Sequence, residues 1–139
     1  GAASVIGLWS VNRKPVLWYT GDGSFGFYSM EMDTMARMGI PVVCVISNDS
    51  GWGMIRYYQD AEPLWKKEVE KNGTCAVELE HMRAYEKMVA MWDGYGEMVT
   101  DPAEIVPAIR RAAANGKPSI INVEVDKVSS YIDFSAMAG

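Results

Sequence analysis

Short apolar runs rich in β-branched residues alternate along this chain with stretches whose apolar residues recur every three or four positions. The runs have the length and composition of buried strands and cover residues 16–20, 42–47, 97–99 and 119–125. The stretches between them are typical of helices that pack one face on a sheet. The order α, β, α, β, α, α, β, α, β predicts an α/β protein, a three-layer α/β/α sandwich around a mostly parallel sheet.

Three helices are predicted around the first two strands. Residues 1–10 form a helix with no N-cap residue and no preceding strand, so we expect the chain to begin inside a larger domain. The second helix ends at Gly39, before Pro41. Its apolar stripe comprises Tyr28, Met32, Met35 and Ala36. A third helix is predicted over residues 52–59.

The middle of the chain is patterned less evenly. Residues 60–80 are highly charged, and we interpret them as a solvated stretch without a predicted helix or strand. A helical stripe returns over residues 84–92. His81, the single histidine, precedes this stripe, and we interpret it as a surface or capping residue rather than a catalytic acid or base.

The last predicted helix has clear start and stop signals. Asp101 is its N-cap residue, Pro102 takes the first helical position, and Glu104 completes a capping box. Pro107 removes one backbone hydrogen bond and is expected to kink the helix. Gly116 is expected to end it.

Composition and charge exclude several functions. The 139 residues suffice for about one domain with a real core. The net charge of −5 argues against binding nucleic acid, which needs a basic face. Cys44 and Cys75 have neither metal-ligand spacing nor a disulfide pattern, so a reducing cytoplasm is expected. No apolar run approaches the roughly 20 residues of a membrane helix, so no membrane partner is expected.

Candidate chemistry lies in two glycine-rich turns. Asp22 and Asp49 each follow a β-branched run, and glycines surround both acids. Because the carboxyl ends of parallel strands meet at one edge of a sheet, we expect the two carboxylates to lie together there. Mg²⁺ binds such carboxylates together with phosphate oxygens, so the pair predicts a metal that holds a phosphate. The structural alternative is that both aspartates only cap turns.

A dinucleotide site is the competing interpretation of the first turn. Gly21, Gly23 and Gly26 match the spacing Gly-x-Gly-x-x-Gly that binds NAD(P) or FAD in a Rossmann oxidoreductase. In that motif the pyrophosphate rests on bare amides, whereas Asp22 would bring a like charge beside it. A Mg²⁺ ion between the carboxylate and the phosphate would turn this repulsion into attraction. The Asp22 side chain therefore favours a metal site over a dinucleotide site.

The two turns and the residues between them resemble the thiamin-diphosphate motif of the acetolactate synthase and 2-oxoacid decarboxylase superfamily. That motif begins with Gly-Asp-Gly and ends with Asn-Asn 27 positions after its aspartate, and the same interval separates Asp22 from Asp49. Position 49 departs from the pattern, because it is Asp rather than Asn. The resemblance is carried by Gly21-Asp22-Gly23-Ser24-Phe25, Glu31, residues 39–43, Asn48-Asp49 and residues 52–55, and continues weakly through 101–102 and 118–125.

The resemblance implies a complete set of ligands. The metal would be held by the side chains of Asp22 and Asp49 and by the backbone carbonyl of Gly51. The cofactor-binding residues would be Gly21, Gly23, Ser24, Asn48, Gly51, Trp52, Gly53 and Met54. The cofactors implied are thiamin diphosphate and Mg²⁺, and no catalytic side chain is assigned, because the carbanion chemistry belongs to the cofactor.

The same resemblance implies that residues 1–139 are the diphosphate-binding domain of a longer enzyme, as a C-terminal fragment that is inactive alone. The enzyme would decarboxylate a 2-oxoacid and carboligate the product; the alternative within the superfamily is a 2-hydroxyacyl-CoA lyase. The implied partner is the pyrimidine-binding domain of a neighbouring subunit, in a homodimer or homotetramer. A non-catalytic remnant is a further alternative, and it predicts no cofactor binding.

Other side chains near the turns have both structural and functional interpretations. Glu31 is interpreted as a structural or interface residue. Phe25 and Trp52 would face either a ligand or the core. Arg56 is a candidate for binding an acidic substrate or a phosphate, against the commoner alternative of a surface residue.

Overall fold

A four-stranded parallel sheet forms the centre of the computed structural model, which describes residues 1–127. Its strands are β1 (Val16–Gly21), β2 (Val42–Asn48), β3 (Gly96–Val99) and β4 (Ser119–Glu124), in the order β1-β2-β4-β3. All three pairings are parallel. The central strands β2 and β4 are buried on both faces, which explains why their sequences are continuous apolar runs rather than alternating patterns.

Helices cover both faces of the sheet, which confirms the predicted α/β/α layers. One face packs against the first three helices and a 3₁₀ helix, and the other face packs against the last helix. The helices are α1 (Ala2–Asn12), α2 (Asp22–Tyr28), α3 (Glu31–Arg37), α4 (Gly53–Ala61), α5 (Pro63–Asn72) and α6 (Ile105–Asn115), with 3₁₀ helices at Tyr85–Met91 and Pro102–Glu104.

The two core clusters follow from the alternation of side chains along the strands. Cys44 and Ile46 of β2 point into the first layer, on the face covered by α1, α2 and α3, where Phe25 is fully buried. Val43 and Val45 point into the second layer, where α6 contributes its small residues. Met32 and Met35 are also fully buried in the first layer, as expected of flexible side chains that fill core gaps.

Strand register determines where the functional turns lie. Val16 pairs with Val42 at the start of β1 and β2, and Gly21 pairs with Ser47 at their ends. Both strands therefore finish at the same level. The residues that follow, Asp22 on one strand and Asp49 on the other, leave the sheet side by side.

The predicted second helix is broken in two. Residues 22–37 form α2 and α3 with a turn at Ser29 and Met30, and Tyr28 is exposed instead of buried. The buried residues Phe25, Met32 and Met35 would also share one face of an unbroken helix, so the periodicity could not reveal the break.

The charged middle stretch contains a helix that the hydrophobic pattern did not predict. In α5 no residue is buried, so burial did not select its sequence. Pro63 occupies the start of the helix, where a missing N–H has no cost. The side-chain amide of Gln59 accepts a hydrogen bond from Cys75 N (2.7 Å) and donates one to Cys75 O (3.0 Å), which ties together the two ends of the segment that carries α5.

Several local predictions require correction. Residues 85–91 form a 3₁₀ helix rather than an α-helix. Pro107 does not interrupt α6, because it lies in the first turn, where its N–H would have no partner within that helix. Asp101 Oδ1 does accept from Ala103 N at 2.9 Å, but the Glu104 carboxylate pairs with Arg111 instead of returning to the cap.

Two composition-based expectations can be compared with the described residues. Cys44 is buried and Cys75 is exposed, and both are free thiols. Within residues 1–127, every helix is too short or too polar to cross a bilayer.

Candidate functional site

The two glycine-rich turns meet at the carboxyl end of the sheet. Asp22 is the first residue of α2 and only 2% exposed. Its Oδ2 accepts a hydrogen bond from Gly51 N at 3.1 Å, which joins the turn after β1 to the turn after β2. Asp49 lies beside it with its side chain 18% exposed. The structure therefore brings together the two acids that the strand pattern placed at one edge.

Burial and a shared site disturb the Asp22 carboxyl. Its pKa is raised to about 6, mainly by burial and to a smaller extent by the charge of Asp49 and a hydrogen bond between the two side chains. Hydrogen bonds from the amides of Gly23 and Gly51 oppose the rise. Two carboxyl groups held this close are stabilised by a proton or a cation between them, and a hard dication is the stronger of the two.

Two glycines are required by close contacts in the site. A Cβ atom at Gly53 would lie 2.6 Å from Asp49 Oδ2, and one at Gly23 would lie 2.9 Å from the indole ring of Trp52. At either position a side chain would force its neighbour, Asp49 or Trp52, to shift. The absence of Cβ atoms keeps backbone amides accessible at the starts of α2 and α4.

The turns line a cleft of about 520 Å³, a size that suits a small ligand. Most of the predicted site residues line it, namely Gly21, Asp22, Gly23, Ser24, Asp49, Gly51, Trp52, Gly53 and Met54. Residues that the sequence analysis did not select also line it, namely Tyr19, Ser47, Ile55, Val125 and Asp126. Tyr19 and Ser47 occupy neighbouring strands, and the Ser47 hydroxyl donates to Tyr19 Oη at 2.6 Å. Their positions near strand ends were the available signal.

Asn48 lies beneath the cleft rather than along it. Its Nδ2 donates to Asn122 Oδ1 (3.1 Å) and to the carbonyl of Arg83 (3.2 Å), and its Oδ1 accepts from Ser50 N (3.1 Å). Ser50 Oγ in turn accepts from Met82 N at 2.9 Å. Asn48, Ser50 and Asn122 are fully buried. This network supports the turn that carries Asp49 and Gly51 from below.

Asn122 is the member of this network that sequence reasoning missed. It is a single amide inside the apolar run of β4, and its Nδ2 donates to Arg83 O at 3.0 Å and to Glu86 Oε2 at 2.9 Å. An isolated amide in a buried strand needs partners, because burying it without them is costly. That isolation was the signal that could have identified it.

A short segment after α5 forms backbone hydrogen bonds with the turn that follows β2. Trp52 N donates to Val77 O at 2.7 Å, and Leu79 N donates to Ser50 O at 2.9 Å. Gly51 and Glu78 form an antiparallel bridge between these two bonds. The charged stretch therefore contributes a backbone pairing that holds the turn carrying Asp49 and Gly51, the candidate metal-binding turn.

The remaining candidate side chains are distributed between surface and core. His81 is exposed and Glu31 is half-buried in the first turn of α3. Phe25 is fully buried between the rings of Trp18 and Tyr85, at centroid distances of 5.9 and 5.5 Å. Trp52 lines the cleft. Arg56 forms ion pairs with acidic residues of the chain and does not line the cleft.

The donor set fits a hard cation that also binds a ligand. Among residues 1–127 no three or more His, Cys, Asp and Glu side chains gather into a closed metal site. Asp22 and Asp49 bring two carboxylates to the cleft, and Gly51 lines it beside them. Mg²⁺ usually takes one or two carboxylates and completes its octahedron with phosphate oxygens and water.

Comparison with known proteins gives one consistent family. A family model described as "Thiamine pyrophosphate enzyme, C-terminal TPP binding domain" matches residues 1–123. The chain is 37% identical over 119 residues to a probable acetolactate synthase from Mycobacterium bovis, which covers 86% of this chain and 20% of that protein. It is 33% identical over 129 residues to oxalyl-CoA decarboxylase from Escherichia coli K12, covering 91% of this chain and 21% of that protein.

The fold has a counterpart among solved structures. Benzoylformate decarboxylase from Polynucleobacter necessarius superposes with a TM-score of 0.72 over 94% of this chain and 23% of that one, at 16% identity. At this identity the likeness concerns the fold alone. The chain spans about a fifth of the length of the curated relatives it matches.

Proposed function

Because the chain belongs to the thiamine pyrophosphate enzyme family, as its C-terminal TPP-binding domain, we propose that it holds thiamin diphosphate through Mg²⁺ in an enzyme that decarboxylates a 2-oxoacid. In this proposal the enzyme can also carboligate the product. The cofactor, when bound, supplies a stabilised carbanion centre for breaking and forming bonds beside a carbonyl. The residues of this chain bind and orient it.

The paired aspartates are the observation that carries the proposal. Asp22 and Asp49 face each other in a cleft where burial, with a smaller contribution from Asp49, raises the pKa of Asp22. A Mg²⁺ ion between them would replace repulsion with attraction on both sides, toward the carboxylates and toward the diphosphate. We assign Asp22, Asp49 and the carbonyl of Gly51 as its protein ligands.

The amides around the cleft support binding of the diphosphate. No side chain caps the N-terminus of α4, so the first amides of this nine-residue helix remain for an anion. Gly53 and Met54 begin this helix, and Gly23 and Ser24 lie across the cleft in α2. We assign these residues and Trp52 to the diphosphate, with Gly21 and Asn48 shaping the two turns.

We assign no catalytic side chain to this chain. The remaining four-fifths of a protein the length of its relatives would contain the pyrimidine-binding domain, which we propose is contributed by a neighbouring subunit in a homodimer or homotetramer. The free thiols of Cys44 and Cys75 fit a reducing cytoplasm as the place where this enzyme works.

An acyl-CoA substrate is the second candidate within the family. Oxalyl-CoA decarboxylase is a relative at 33% identity, so decarboxylation or lysis of an acyl-CoA, including the 2-hydroxyacyl-CoA lyase reaction, is supported by a specific observation. Assays of the full-length gene product with 2-oxoacids and with acyl-CoA thioesters would separate the two substrate classes.

Calorimetric titration of the full-length gene product with thiamin diphosphate tests the proposal. We expect binding that requires Mg²⁺ and that the substitution Asp22→Ala abolishes. The matched control is Asp93→Ala, because the Asp93 side chain is 89% exposed and away from the cleft. Binding without Mg²⁺, or unchanged binding in Asp22→Ala, would contradict the metal assignment. Mg²⁺-independent binding of a dinucleotide would support the oxidoreductase alternative, and no cofactor binding would support the remnant.

A further inference from the structure

Arg56 packs against the turn that carries Asp49 and Gly51. It lies in α4, with its side chain only 16% exposed, and its guanidinium stands between two acidic side chains. Nη1 is 3.9 Å from Asp49 Oδ2, and Nη2 is 3.0 Å from Glu78 Oε1. The guanidinium therefore approaches a proposed metal ligand without lining the cleft itself.

The guanidinium also packs against the backbone of the turn itself. A Cβ atom at Gly51 would collide with Arg56 Nη2 and would lie 2.8 Å from the carbonyl oxygen of Val77. Gly51 is buried between them. The Arg56 guanidinium therefore packs against the turn that places Gly51 in the cleft wall. A shift of the guanidinium would move this turn.

Hydrogen bonding does not explain why a cation is buried here. Among the described residues, Arg56 Nε and Nη2 are buried without an aligned hydrogen-bond partner, although Nη2 has its ion pair with Glu78. Nη1 reaches the carbonyl of Lys127 only at 3.5 Å. Burying an arginine with so few hydrogen bonds is costly, so its charge must be compensated by the carboxylates that flank it.

We propose, on the basis of the proposed function, that Arg56 is a positioning residue that balances the charge of Asp49 and sets the affinity for the Mg²⁺–diphosphate unit. Two carboxylates and an anionic diphosphate meet in one cleft, and a single Mg²⁺ leaves an excess of negative charge. Arg56 supplies a positive charge beside Asp49 without lining the cleft that would hold the ligand. Its effect on binding therefore depends on the carboxylate at position 49.

A double-mutant cycle tests this dependence in the full-length gene product. The variants are Arg56→Met, Asp49→Asn and the double variant, and the readout is the Kd for thiamin diphosphate at fixed Mg²⁺ by calorimetry. We expect Arg56→Met to weaken binding roughly tenfold in the parent and about twofold or less when residue 49 is Asn, a coupling of ordinary size for charges in contact. Equal losses in both backgrounds would overturn the proposal, since they would indicate a purely structural role.

Charge and shape are separated by a second set of variants. Arg56→Lys is expected to stay within about threefold of the parent Kd, whereas Arg56→Gln is expected to lose about as much as Arg56→Met; equal affinities of the Lys and Gln variants would overturn the proposal. This pair also replaces Arg56→Met if that variant does not fold. The matched control is Arg37→Met, which removes an exposed arginine paired with Asp33.

The two proposals fail in different ways. If the parent protein shows no Mg²⁺-dependent binding of thiamin diphosphate, the proposed function is wrong and the role of Arg56 falls with it. If the parent binds but the cycle shows no coupling, only the role of Arg56 is wrong.

Discussion

The backbone amide of Gly51 donates a hydrogen bond to the carboxylate of Asp22, across 3.1 Å and between two turns that are far apart in sequence. This bond links the turns that follow β1 and β2 at the cleft. Together with the hydrogen bond from the Gly23 amide, it leaves the remaining lone pairs of Asp22 for Asp49 or for a cation.

Replacing Gly53 with alanine is expected to weaken Mg²⁺-dependent binding of thiamin diphosphate at least about tenfold. The new Cβ atom would lie 2.6 Å from Asp49 Oδ2 and would displace that carboxylate. Gly26→Ala is the matched control, because a Cβ there meets nothing within 4 Å, and it should leave Kd within about twofold. Titration calorimetry provides both numbers. Similar values for the two variants would show that Asp49 does not need its present position.

Loss of the Asn122 amide is expected to destabilise the protein by about 3 kcal/mol, because the fully buried Asn48 amide would lose one of its two acceptors and keep only the carbonyl of Arg83. The free energy of unfolding in urea, compared between Asn122→Ala and the parent, measures this cost. Asn115→Ala serves as the control, since Asn115 is exposed at the end of α6, and about 0.5 kcal/mol or less is expected. A cost for Asn122→Ala no larger than for the control would mean that the buried network contributes little.

Asp22 makes the metal-free protein sensitive to pH. Burial, with a smaller contribution from Asp49, raises its pKa in the folded state from 3.8 to about 6, so the folded state holds this proton more tightly than the unfolded state does. The stability that this gives is fully present below about pH 4 and is lost as the pH rises through 6.

Urea unfolding in EDTA across this pH range checks the expectation, with Asp22→Asn as the comparison. As the pH rises from 4 to 6, the free energy of unfolding of the parent should fall relative to that of Asp22→Asn. Above pH 6 the difference between the two proteins should stay constant. Because Mg²⁺ and this proton compete for the Asp22 carboxylate, Mg²⁺ should bind the parent protein more tightly as the pH rises over the same range. A difference that does not vary with pH would contradict the raised pKa.

The two thiols are expected to differ in reactivity. Burial raises the pKa of the Cys44 thiol well above its usual range, whereas Cys75 is exposed. Peptide mapping after labelling with a thiol reagent should therefore find Cys75 modified in the native protein and Cys44 modified only after denaturation. Modification of Cys44 in the native protein would contradict this expectation and would show that β2 opens readily.

Local pattern was sufficient for the parts of the fold that depend on strands. The β-branched runs that became β1 and β2, each followed by an aspartate in a glycine-rich turn, place Asp22 and Asp49 together once the sheet is parallel. Helix periodicity was less informative. Phe25 and Met32 share one face whether or not the chain turns at Ser29, so α2 and α3 looked like one helix.

Contacts distant in sequence could not be predicted from pattern. Val77 and Leu79 pair with the second turn from a stretch with no hydrophobic periodicity, and Asn122 reaches Asn48 across 74 positions. Arg56 was considered as a ligand for an external acid, and its partners among the described residues are Asp49 and Glu78. Which acid a long cationic side chain meets is decided by tertiary structure.

The two hydrogen bonds between Gln59 and Cys75 hold the ends of residues 60–74 together, so this segment is a closed loop that leaves the domain and returns to the same place. Nothing in α5 is buried, so the core does not depend on the sequence of this loop. Lengthening such a closed loop adds little entropic cost, since the cost grows only with the logarithm of its length. Evolution can therefore remodel this region, and an engineer can graft a new segment into it, while the floor of the cleft is left alone.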